Sequence, residues 1–129
     1  MGMFDYVRCE PALPDDRVAG NPDFQTKSFS CCMCRYTIAE KGRLIFHRDQ
    51  YEEGPEREVR PGVTFPTYKL VHTEDIDMEY HGDMKFGGAG RDNTYVEYAA
   101  RFSHGALEWI RPYEELPAIH RIWLTERGQ

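Results

Sequence analysis

Residues 95–111 constrain the fold more than any other segment. Val96, Tyr98, Ala100 and Phe102 alternate with Tyr95, Glu97, Ala99 and Arg101, the period of two that a half-buried strand requires. His104-Gly105 then offers a two-residue turn, with glycine taking positive φ. That loop length pairs Phe102 with Leu107 and Ala100 with Trp109. It also sets Arg101 beside Glu108 on the opposite face. Apolar meets apolar and cation meets anion, so pattern and turn specify one register.

A second hairpin is expected at 35–47. Tyr36, Ile38, Leu44 and Phe46 share one face, and Glu40-Lys41-Gly42 fits a three-residue loop closed by a left-handed glycine. Ile38 then meets Leu44, and Tyr36 meets Phe46. A third is expected at 75–87, where a loop over His81–Asp83 pairs Tyr80 with Met84 and Met78 with Phe86. Weaker strands are read at Phe4–Cys9 and Phe24–Phe29. The stretch 49–66 holds Gly54, Pro55, Pro61, Gly62 and Pro66 and reads as a solvated loop, with a short strand reaching Leu70-Val71. Residues 118–124 fit a strand or one to two helical turns equally. The expectation is an all-β antiparallel meander of hairpins, forming a small sandwich or barrel. At 129 residues it is one domain, 1–129. Its core should hold Ile38, Leu44, Phe46, Phe102, Leu107 and Trp109.

Charge narrows the function classes. Sixteen Lys plus Arg against 22 Asp plus Glu give a formal charge of -6, so direct nucleic-acid binding is not expected. No apolar run approaches the ~18–20 residues that span a bilayer, so no membrane partner is expected. The first residues carry no basic-then-apolar leader. Met1-Gly2 lacks the hydroxyl residue that myristoylation needs at position 6, which is Tyr6. The four cysteines are therefore expected to be reduced, in a cytoplasm.

Three constellations could carry chemistry. Cys31 and Cys34 have knuckle spacing, and His47 or His72 could complete a zinc site, but no second knuckle exists. No metal and no cofactor are expected. Asp75, Asp77 and Glu79 lie on one strand face, ~7 Å apart, and read as a solvated acidic row. The third is the run Lys85-Phe86-Gly87-Gly88-Ala89-Gly90-Arg91. Its glycines let backbone N–H groups converge on an anion and the flanking cations supply charge. The expected ligand-binding residues are Lys85, Gly87, Gly88, Gly90 and Arg91, with Tyr95 or Phe86 placed to stack on a base. The five histidines show no metal or triad spacing and no serine sits in a nucleophile elbow. Enzymatic function is disfavoured, and no catalytic residue is assigned.

Met3-Phe4-Asp5-Tyr6-Val7-Arg8-Cys9-Glu10, Leu13-Pro14-Asp15 and Phe24-Gln25-Thr26-Lys27 form a pattern. So do Tyr36-Thr37-Ile38 with Gly42-Arg43-Leu44, and Phe102-Ser103-His104-Gly105 with Leu107-Glu108-Trp109. Together they resemble a group of small bacteriophage and prophage proteins. The run Cys31–Cys34 and the insert 49–66 lie outside that pattern. The resemblance implies a protein that acts in the cytoplasm of the host cell by binding, as host-defence-countering proteins do. The glycine run favours a non-enzymatic protein that sequesters a nucleotide-derived ligand, with a homo-oligomer to form the pocket. The net charge favours an alternative, an acidic inhibitor that occupies a host protein by charge mimicry. A structural or accessory phage protein is the third class.

Overall fold

The computed structural model describes residues 3–20, 22–29 and 31–127; Met1 and Gly2 lie outside them. The strands are β1 (Asp5–Cys9), β2 (Asp23–Thr26), β3 (Arg35–Ile38), β4 (Leu44–Glu53), β5 (Arg57–Arg60), β6 (Val63–Phe65), β7 (Tyr68–Asp77), β8 (Gly82–Ala89), β9 (Tyr95–Ser103) and β10 (Ala106–Pro112). A 3₁₀ turn at Tyr113–Glu115 leads to one helix, α1 (Ala118–Arg127). Eight strands form one sheet in the order β10-β9-β8-β2-β1-β3-β4-β7, and β5 and β6 form a second, two-stranded sheet. The fold is all-β, mostly antiparallel and sandwich-like, as the alternation predicts. It is not a closed barrel: among the described residues the end strands β7 and β10 do not pair. No helix among them is long and apolar enough to cross a membrane.

The main core lies on one face of this sheet, the inner face. Val7, Phe24, Ile38, Leu44, Met84, Phe86, Tyr98 and Phe102 are all buried there. They come from both ends of the strand order, so the sheet curls over them. Backbone bonds hold the curl at one end. Leu107 N–H donates to the Gly42 carbonyl at 2.8 Å, and Gly105 N–H to the Tyr80 carbonyl at 2.9 Å. A smaller cluster lies on the outer face of β8–β10, where Leu116 and Leu124 cover Ala99, flanked by Trp109 and Tyr113.

The 35–47 hairpin has the expected register, Ile38 opposite Leu44 and Tyr36 opposite Phe46. In the 95–111 hairpin Leu107 faces Phe102, but a bulge at Glu108 then sets Trp109 opposite Arg101 and Ile110 opposite Ala100. The extra residue turns Trp109 out of the main core and under α1. The turn has positive φ at both His104 and Gly105, as a type I′ turn requires. Arg101 still pairs with Glu108, at 3.1 Å. Phe46 and Leu107 are partly buried against the main core rather than fully inside it.

Three expectations are corrected. The 75–87 hairpin does not form: β7 pairs with β4 and β8 with β9. Met84 and Phe86 gain more by packing among β9 and β2 side chains than by facing Tyr80 and Met78. The stretch 49–66 is not a loop. β4 runs on to Glu53, and β5 and β6 form a hairpin around Pro61-Gly62, where Gly62 has φ 79°. The prolines and glycines punctuate those strands rather than abolish them. The meander is also interrupted, because β1 pairs in parallel with β3 while β2 pairs with β8. Residues 118–124 are helical.

Candidate functional site

The parallel β1–β3 pair determines what the outer face of the β2-β1-β3-β4-β7 half presents. Directly opposed residues share a face. One cross-strand row therefore reads Gln25, Tyr6, Arg35, His47, Asp75. The next reads Asp23, Arg8, Thr37, Ile45, Asp77. Strands lie ~4.8 Å apart, so guanidinium, phenol, hydroxyl and imidazole groups meet on one surface. A cavity of about 450 Å³ opens there, lined by Tyr6, Arg8, Arg35, Thr37 and His47, with Glu10 and Asp23 at its side.

Two hydrogen-bonded networks order this surface. His47 Nε2 lies 2.6 Å from Thr37 Oγ1, and His47 Nδ1 lies 2.7 Å from Asp75 Oδ1. An ionised carboxylate only accepts, so Nδ1 carries a proton, and in the neutral ring Nε2 then accepts from the Thr37 hydroxyl. Beside it, Arg35 donates through Nε and Nη2 to Asp49, at 2.8 and 2.6 Å, and Thr73 Oγ1 donates to Asp49 at 2.8 Å. The Arg35 guanidinium, with help from Thr73, holds the Asp49 carboxyl at about 2, below its ordinary 3.8. Arg8 makes a long contact with Asp23, 3.8 Å, and lines the cavity.

The five residues expected to hold a ligand lie along β8 and its turn, not around a point. Gly87 and Gly88 are ladder residues opposite Glu97 and Val96. None of Gly87, Gly88 and Gly90 has positive φ. Gly90 N–H is taken by the Thr94 carbonyl, and Arg91 N–H by the Arg17 carbonyl. The glycines instead admit close neighbours. A Cβ on Gly87 would stand 2.8 Å from Tyr95 Oη, one on Gly88 3.1 Å from Phe24 and one on Gly90 2.9 Å from the Arg17 carbonyl. Lys85 pairs with Glu97 at 3.3 Å and covers the Tyr113 ring at 4.8 Å. Lys85 and Ala89 are four strand residues apart, ~13 Å, and Lys85 does not line the cavity that Arg91 lines. The expected cradle is not assembled. Arg91 does line a separate cavity of about 320 Å³ with Arg17, Tyr95, Asp16 and Asp92. Phe86 is buried in the main core.

The acidic row is not a bare face either. Asp75 meets His47, and Asp77 pairs with Arg43 at 2.7 Å. The cysteine run wraps a buried carboxylate. Asp5 accepts the backbone N–H groups of Cys31, Cys32 and Cys34 at 2.8, 3.0 and 2.9 Å. Cys31 and Met33 take positive φ, 56° and 60°, to turn these amides inward. Among the described residues no three His, Cys, Asp or Glu side chains gather to hold a metal ion.

Sequence reasoning did not single out Thr37, weighed His47 only for zinc and read Asp75 only as part of a solvated acidic row, and so did not bring the three together. Half of the signal was present, since the 35–47 register that pairs Tyr36 with Phe46 also sets Arg35 and Thr37 beside His47. Asp75 arrives from 28 residues away on a strand that local pattern assigned to another hairpin. No protein-family model matches the chain, and no curated protein or solved structure matches it either.

Proposed function

We propose that this is a phage protein of the host-defence-countering kind, and that it captures a nucleotide-like anionic small molecule on the outer face of β1, β3 and β4. The observation that carries the reading is the convergence of Arg8, Arg35, Tyr6 and His47 on one open cavity of about 450 Å³, on a chain whose net charge is -6. An acidic protein holds an anion only where cations are locally gathered. Arg8 is free to fork onto a phosphate. Arg35 is preorganised by Asp49 through Nε and Nη2 and offers its remaining guanidinium N–H donors. The Tyr6 ring supplies a surface for a base, and the Thr37 hydroxyl adds a polar contact. The phage assignment rests on the resemblance of the opening and hairpin motifs.

A thermal-shift screen against mononucleotides, dinucleotides and cyclic nucleotides tests it. Ligand at 100 times its Kd should stabilise the protein by ~2.7 kcal/mol. Arg8→Ala should remove that shift and leave the unliganded melting temperature nearly unchanged, because Arg8 is 55% exposed. Arg91→Ala should keep it. A shift lost with Arg91→Ala and kept with Arg8→Ala would move the site to the Arg17–Arg91 cavity, and no shift with any nucleotide would refute the reading.

A further inference from the structure

The Thr37–His47–Asp75 contacts go beyond ligand capture. We propose that they form a nucleophilic relay, in which Thr37 attacks an acyl ester seated in the cavity and His47 acts as general base. Three features support this. Thr37 Oγ1 lies 2.6 Å from Nε2, within the reach that proton transfer to the neutral ring needs. The opposite ring nitrogen is held by Asp75 at 2.7 Å, which selects the tautomer able to accept that proton and stabilises the imidazolium that follows. Arg8 lies directly opposite Thr37 in the parallel β1–β3 register and lines the same cavity; its guanidinium rests toward Asp23, 3.8 Å away, and turning from that long contact would bring it to the negative charge that develops on the carbonyl oxygen. Both Thr37 and His47 line the open cavity, so substrate reaches the hydroxyl from solvent.

The chemistry closes without a further reactant except water. Thr37 Oγ1 forms a bond to the carbonyl carbon and its proton moves to His47 Nε2. The bond from that carbon to the leaving alkoxide breaks, and His47 returns the proton to it. Water then attacks the acyl-threonine, giving its proton to Nε2. The carbon–Oγ1 bond breaks and Thr37 regains the proton, releasing a carboxylic acid. Thr37 is the nucleophile, His47 the base and Asp75 a positioning residue.

The test uses p-nitrophenyl acetate with the full chain, reading p-nitrophenol release and acetyl incorporation by intact mass and peptide mapping. The expected result is an acetyl group on Thr37. It should be absent in Thr37→Val and His47→Gln and retained in Thr37→Ser. Asp75→Asn should slow acetylation by ~10²–10⁴-fold and change its pH profile, which loss of a merely structural contact would not do. No acetylation of Thr37 in the wild type, or unchanged acetylation of Thr37 in His47→Gln, would each overturn the relay. The reaction needs no nucleotide, so it stands or falls separately from the capture reading.

Discussion

Asp5→Ala should cost ~4–5 kcal/mol of folding stability. The Asp5 side chain is fully buried. It accepts three backbone N–H groups, from Cys31 on Oδ2 and from Cys32 and Cys34 on Oδ1. A hydrogen bond to a charged group nets ~1.5–3 kcal/mol. Cys32 is exposed, and Cys31 and Cys34 are half-exposed, so the freed amides regain some water and the lower bound applies. Three such bonds give ~4.5 kcal/mol. Asp5→Asn should cost less, ~2 kcal/mol. Its carbonyl oxygen can keep the two donors on Oδ1, while its amide group meets the Cys31 N–H donor to donor. Urea unfolding followed by circular dichroism, with midpoint and slope for each variant, measures both. A loss below ~1 kcal/mol for Asp5→Ala, smaller than a single such bond, or a greater loss for Asp5→Asn, would refute the account of this loop.

Burial, with Glu10 beside it, pushes the Cys9 thiol up to about 12; iodoacetamide at pH 8 should therefore label the native protein at Cys31, Cys32 and Cys34 but reach Cys9 only after unfolding, as peptide mapping will show. The Asp49 carboxyl is lowered to about 2 by Arg35, so its contribution is present above pH ~4 and lost as pH falls through about 2. Asp49→Asn should flatten that part of the stability–pH curve, and an unchanged slope counts against the Arg35–Asp49 pair. Gly87→Val should lower the melting temperature, since its Cβ would stand 2.8 Å from both Tyr95 Oη and the Val96 carbonyl; overpacking of this kind costs ~1–3 kcal/mol. A Gly87→Val protein as stable as the wild type would show that β8 and β9 can part there.

Local pattern reached some hairpins and missed another, β5–β6 around Pro61-Gly62, where prolines and glycines read as loop. The hairpin around Gly42 is legible because period-two alternation, a glycine at positive φ and matched apolar pairs all agree on one register. The hairpin around His104-Gly105 is legible as far as Leu107. The bulge at Glu108 is not, because its reason lies further along the chain, where Leu116 after the 3₁₀ turn and Leu124 on α1 form the cluster that receives Trp109. The partners of β7 and β8 were equally hidden. Residues 75–87 make a plausible hairpin alone, and only the apolar face of β9 and the open edge of β4 draw the two strands apart. The glycine run of β8 was read as letting backbone approach an anion, and in the structure it admits close protein neighbours. The visitors are Tyr95, Phe24 and the Arg17 backbone rather than a phosphate.

The placement of β2 has a consequence for synthesis on the ribosome. β2 ends at Thr26, yet its second neighbour β8 begins at Gly82. Until β8 has emerged, the nascent sheet β2-β1-β3-β4 carries an unpaired edge and leaves Phe24 without Phe86 and Tyr98. The N-terminal half therefore cannot complete its core as it is made. Pairing across so long a separation is slow, because the loop must close before its contacts form. The open β2 edge is the surface on which a waiting chain can pair with another. Truncated chains ending before Gly82 should accordingly be found with chaperones or in aggregates, while chains reaching the end of β9 should already protect their β2 amides from exchange.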